Sequence, residues 1–71
     1  MIKAVIEYKD GTKTIVKKKS YIELADYMEN LYPDRADAHA FRHFIYKEQG
    51  DSAKAEESKN AALKINPGMS L

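Results

Sequence analysis

Gly50-Asp51-Ser52-Ala53-Lys54-Ala55-Glu56-Glu57-Ser58-Lys59-Asn60-Ala61-Ala62-Leu63-Lys64-Ile65-Asn66-Pro67 is the stretch on which the fold turns. Gly50 supplies the left-handed residue that ends one helix, and Asp51 or Ser52 starts the next. Ala55 and Ala62 keep one face small enough for a second helix to approach closely, and Pro67 stops the helix. Asp51, Glu56 and Glu57 lie early and Lys59 and Lys64 late, an order that suits the helix dipole. Upstream, Asp34 with Asp37 opens a helix that runs to Gly50, with Ala38, Phe41, Phe44 and Ile45 as its core face. The expectation is a packed helical hairpin.

Working toward the N-terminus, Ser20-Tyr21-Ile22-Glu23 is a capping box, in which serine accepts from the glutamate amide and the glutamate reaches back to the serine amide. The helix it opens carries Ile22, Ala25, Met28 and Leu31, with Leu24 alongside, as an apolar stripe. Glu23, Asp26 and Glu29 form a separate acidic stripe, and Pro33 follows the end. Before it, Ile2, Ala4, Ile6 and Tyr8 alternate with Lys3, Val5, Glu7 and Lys9, the period of a strand, and Asp10-Gly11 is a turn signal. A two-residue turn at Asp10-Gly11 would set Ile6 against Ile15 but put Lys13 and Lys17 on the face of Tyr8 and Ala4. A three-residue loop, Lys9-Asp10-Gly11 with Gly11 left-handed, instead pairs Tyr8 with Thr12, Ile6 with Thr14, Ala4 with Val16 and Glu7 with Lys13. The second register is preferred, because it collects Ile2, Ala4, Ile6, Tyr8, Thr12, Thr14 and Val16 on one face and leaves Val5 opposite Ile15 among charges on the other.

The sequence therefore predicts an α+β fold: an N-terminal two-stranded antiparallel β-hairpin followed by three α-helices, the last two a helical hairpin. The hairpin is expected at about 2–18 and the helices near 21–32, 35–49 and 52–65. One domain covers 1–71, divided into a basic hairpin (1–19), the first helix (20–33), the helical hairpin (34–68) and a short tail (69–71). The expected core is Ile2, Ile6, Val16, Ile22, Ala25, Met28, Leu31, Phe41, Phe44, Ile45, Ala55, Ala62, Leu63 and Ile65. At 71 residues, stability is thin, and no cysteine is present to staple it. The lack of cysteine favours the cytoplasm, and the first residues are too short an apolar run for a signal peptide or a membrane span.

Residues 36–68, and within them Tyr46, Gly50, Asp51, Ala55, Ala62, Leu63, Ile65 and Pro67, resemble one tetratricopeptide repeat, a helix-turn-helix unit of about 34 residues. His39, Arg42 and His43 stand where that family carries a large aromatic, a leucine and a glycine. The resemblance covers about half the chain and implies the fold of a single unit, whereas peptide grooves in that family need three or more stacked units.

His39 and His43 have the i, i+4 spacing that aligns two imidazoles on one helix face, which makes them a weak metal candidate lacking a third ligand. With Tyr46 they fall on a helix face away from Phe41 and Ile45, and a half-buried polar seam against Ala55 and Ala62 explains them more simply. Gly11, Gly50 and Gly68 are each accounted for by a turn or a helix end, so no glycine-rich phosphate cradle can form. No serine lies in a nucleophile elbow, and the row Glu23, Asp26, Glu29 reads as a solvated face. No enzyme activity, metal or cofactor is expected.

Two functions from different classes follow. The first is a small protein-interaction module, an adaptor or an inhibitor that acts by surface occlusion. It would use the helical hairpin and first helix, with Tyr27, Tyr32 and Tyr46 as partner-binding residues. Such a role suits a phage or mobile-element accessory protein. The alternative is weak, non-specific nucleic-acid binding, in which Lys13, Lys17, Lys18 and Lys19 contact phosphates. Residues 1–19 hold six lysines against Glu7 and Asp10, but both arginines lie elsewhere, and lysines also protect sheet edges. A two-stranded sheet with Val5 and Ile15 exposed further predicts a homodimer, formed by edge pairing or face packing.

Overall fold

The structure, a computed structural model, describes residues 1–71. Strands β1 (Ile2–Glu7) and β2 (Lys13–Lys18) form an antiparallel hairpin, followed by helices α1 (Tyr21–Leu31), α2 (Asp37–Glu48) and α3 (Ser52–Ile65). The fold is α+β, as the sequence predicts.

The hairpin adopts the three-residue-loop register: Ala4 pairs with Val16, Val5 with Ile15, Ile6 with Thr14 and Glu7 with Lys13. Tyr8 N donates to Thr12 O at 2.8 Å, and Gly11 takes a φ of 87°, which closes the loop. The Asp10 side chain accepts from the Thr12 amide (3.0 Å) and hydroxyl (2.6 Å), locking the turn. Ile2, Ala4, Ile6, Tyr8 and Val16 are half-buried toward the helices, while Thr12 and Thr14 of the same face stay exposed.

Ser20 caps α1 by accepting from Glu23 N at 3.2 Å, and Glu23 accepts in return from Lys19 N at 3.1 Å. The return bond thus goes one residue earlier than the capping-box pattern predicts. Helix α2 begins later than expected, after Ala36, with no side-chain cap. Arg35 and Asp37 form an exposed ion pair at 3.2 Å there.

Gly50, with a φ of 79°, ends α2 in a Schellman arrangement, with Asp51 N on Tyr46 O (2.9 Å) and Gly50 N on Lys47 O (3.1 Å). Asp51 then accepts from Lys54 N at 3.1 Å to cap α3. The two helices close on each other through small residues: Ala55, Ser58 and Ala62 are buried, and Ala62 is 0% exposed.

Of the expected core, only Ala25, Ala55 and Ala62 are buried, nine residues are half-buried, and two lie outside it. Phe44 is 50% exposed and Ile65 is 39% exposed. Helix α2 buries one side against α1 through Ala38 and another against α3 through His43, so nothing remains to cover the direction in which Phe44 points. Ile65 is the last residue of α3, where the chain runs out of neighbours. The core instead gains Leu24, Ala36 and Ala38, and no large side chain is fully enclosed.

Candidate functional site

The chemistry of the surface divides into an apolar groove, a polar cleft and a basic sheet. Tyr21, Phe41, Phe44 and Ile45, with Glu48 and Gln49 at the rim, line a groove of ≈ 430 Å³ between the start of α1 and the length of α2. Tyr21 stands edge-on to Phe41 with centroids 6.0 Å apart, and Phe44 stands edge-on to His43 at 5.2 Å. The heptad-like spacing of 41, 44 and 45 places these side chains along one flank of α2.

The three tyrosines expected from the sequence at a partner surface, Tyr27, Tyr32 and Tyr46, each make contacts within the molecule. Tyr27 and Tyr8 share a hydroxyl–hydroxyl bond of 2.8 Å, and Lys18 Nζ lies 4.4 Å above the Tyr27 ring. That bond is the main reason the Tyr8 phenol is held above its ordinary pKa, with burial and the neighbouring phenols adding to it. The Tyr32 hydroxyl donates to Glu7 O at 2.6 Å. Tyr27 and Tyr32 are therefore half-buried pins that hold the sheet to α1. Tyr46 lies elsewhere, on the wall of a cleft of ≈ 420 Å³ shared with Glu29, His39, Arg42, Lys54, Glu57, Ser58 and Ala61. Lys54 Nζ sits 5.6 Å over its ring.

Arg42 organises that cleft. Its guanidinium bonds Asp26 and Glu29, both at 2.5 Å, and so ties α2 to the acidic stripe of α1. Burial works to lower its pKa, but the bonds to the two carboxylates outweigh it and hold Arg42 above its ordinary value. Two members of the stripe read as a solvated face are therefore partners of an arginine whose side chain is only 16% exposed.

His39 and His43 diverge in what they touch. His43 is buried, and its Nδ1 lies 2.8 Å from Ala55 O. A carbonyl can only accept, so Nδ1 is the donor in this bond. His39 faces the cleft, with Nδ1 3.5 Å from Arg42 and Nε2 4.0 Å from Glu29. The polar-seam reading of His43 against α3 holds, and no group of three His, Cys, Asp or Glu side chains is arranged to hold a metal ion.

No protein-family model matches the chain, and neither the curated proteins nor the solved structures contain a match.

On the sheet, Lys13 pairs across the strands with Glu7 and Lys3 lies opposite Lys17, while Lys18 is half-buried over Tyr27. Of the four lysines chosen as phosphate contacts, Lys13, Lys17 and Lys19 are exposed and Lys18 is not free. The groove carries no signal in the sequence, because periodicity assigns Phe41, Phe44 and Ile45 inward. The Arg42 clamp carries none either, because Asp26 and Glu29 sit 16 and 13 residues away from Arg42. No helix is long and apolar enough to cross a membrane.

Proposed function

We propose that the chain is a small, non-enzymatic, cytoplasmic protein-binding module that acts as an adaptor or inhibitor by occluding a surface of another protein. The observation that carries this reading is Phe44, 50% exposed on a packed helix, beside Tyr21 at 53% and the half-buried Phe41 and Ile45. A contiguous aromatic and aliphatic groove on so small a domain costs solubility, and tyrosine and phenylalanine set into such grooves are the residue types that anchor interfaces. The partner it suits presents apolar side chains to the groove. The α2–α3 unit is read as a lone tetratricopeptide-like hairpin serving as the rigid support for that face, on the strength of Tyr46, Gly50, Ala55, Ala62 and Pro67.

The test is affinity capture followed by titration of the captured partner. Phe44→Ser should leave the fold within about 0.5 kcal/mol of the parent, since the side chain is already half in water. It should weaken binding by at least about tenfold. Reversing Lys13, Lys17 and Lys19 to glutamate should alter mainly the association rate. Binding abolished by the lysine reversals and indifferent to Phe44→Ser would transfer the function to the basic sheet.

A further inference from the structure

A two-stranded sheet has two open edges, and here they differ in charge pattern. Because Tyr8 bonds Thr12 across the hairpin, the alternate positions Ile2, Ala4 and Ile6 are the hydrogen-bonded ones. Lys3, Val5 and Glu7 on β1, and Lys13, Ile15 and Lys17 on β2, therefore turn their backbone N–H and C=O groups outward. The outward groups of Lys3 and Val5 find no partner in the molecule, and Val5 is 67% exposed. The Glu7 carbonyl accepts from Tyr32, which uses one of its two lone pairs.

Each edge can be paired with a copy of itself about its middle residue. For β2, a two-fold axis at Ile15 sets Lys13 against the partner's Lys17, and does so twice, which is repulsive. For β1, an axis at Val5 sets Lys3 against the partner's Glu7 and Glu7 against the partner's Lys3, with Val5 meeting the partner's Val5 between them. On the opposite face the same register brings Ala4 against the partner's Ile6, and Ile2 against the partner's Tyr8. Charge, apolar match and free backbone groups all agree on one register of one edge.

We propose that two copies of this chain associate through antiparallel β1–β1 pairing centred on Val5, forming a continuous sheet in the order β2-β1-β1-β2. Pairing removes the unprotected edge and turns a marginal two-stranded sheet into one of independent stability. Lysines guard the β2 edge and leave it outermost. This surface is separate from the α1–α2 groove, so the dimer stands or falls apart from the protein-binding reading.

Sedimentation and light scattering of the full chain at micromolar to about 1 mM concentration test it. The parent should form a dimer. Lys3→Glu alone and Glu7→Lys alone each place like charges in both inter-strand pairs, and each should raise the dimer dissociation constant at least about tenfold. An equimolar mixture of the two variants restores opposite charges in both pairs and should recover dimer. Val5→Pro removes an outward N–H without breaking a bond inside the hairpin, and should abolish the dimer, while Ile15→Pro on the other edge should not. Circular dichroism checks that each variant is folded. A monomeric parent, a mixture that fails to recover, or a dimer that survives Val5→Pro and is lost in Ile15→Pro overturns the proposal.

Discussion

The α2–α3 hairpin and the β-hairpin are held to the rest of the molecule in opposite ways. Along the helical seam Ala55, Ser58 and Ala62 are buried with His43, so that close approach of backbones does the packing. In the β-hairpin no residue is buried, and the sheet is secured by the tips of polar side chains: Tyr8 on Tyr27, and Tyr32 on the Glu7 carbonyl. The difference teaches that a seam of small residues is sensitive to added volume, whereas a sheet pinned by hydroxyls is sensitive to the loss of single atoms and can loosen by itself.

The strongest attack on that contrast is volume at the seam. Ala62→Leu should cost about 2–3 kcal/mol, since at a fully enclosed site the added methylenes force the helices apart. Thermal melting would read it, and an unchanged melting temperature would mean that the helices do not meet at Ala62. Phe41→Ala should cost less than an enclosed aromatic would, because Phe41 is half-buried beside the solvent-exposed Tyr21 ring.

Arg42→Met tests the joint between α1 and α2. Asp26 and Glu29 are 57% and 39% exposed, so solvent screening limits the loss to about 1 kcal/mol. The loss should shrink at high salt, and insensitivity to salt would show that the stem of Arg42, rather than its charge, contributes.

Removing the pins sharpens the comparison from the other side. Tyr27→Phe and Tyr32→Phe should each cost about 1 kcal/mol, the usual net worth of a hydrogen bond. Hydrogen exchange should rise at the hairpin amides, Ile6 among them, with little change across α2 and α3. Uniform loss of protection would mean that the two regions unfold as one unit.

The smallest effect is at the turn. The Thr12 hydroxyl, followed by its amide, holds the Asp10 carboxyl below its ordinary pKa. A depressed folded value contributes stability above the unfolded carboxylate range, which is lost as pH falls through the folded value. Amide exchange at Thr12 should therefore quicken under acid conditions below the ordinary aspartate range, and Asp10→Asn should remove that pH dependence. The effect should leave α2–α3 untouched.

Much of the fold was legible because its signals are local. The left-handed glycines, the Ser20 and Asp51 caps and the alternation of Ile2, Ala4 and Ile6 act over a few residues, and they specified the order of elements and even the hairpin register. The exposed apolar groove was not legible. Phe44 shares helical periodicity with Phe41 and Ile45, and periodicity tells which side chains lie together without telling whether another element covers them. The same limit applied to Tyr27 and Tyr32, whose partners Tyr8 and Glu7 lie 19 and 25 residues away.

By itself, then, the sequence determined the elements and their registers, since caps, turns and strand alternation are set by neighbours in the chain. Only the tertiary structure decided which apolar face stayed in water and which carboxylates held Arg42. With three helices and one hairpin there are fewer covering elements than apolar faces, and the packing geometry alone selects the face left open.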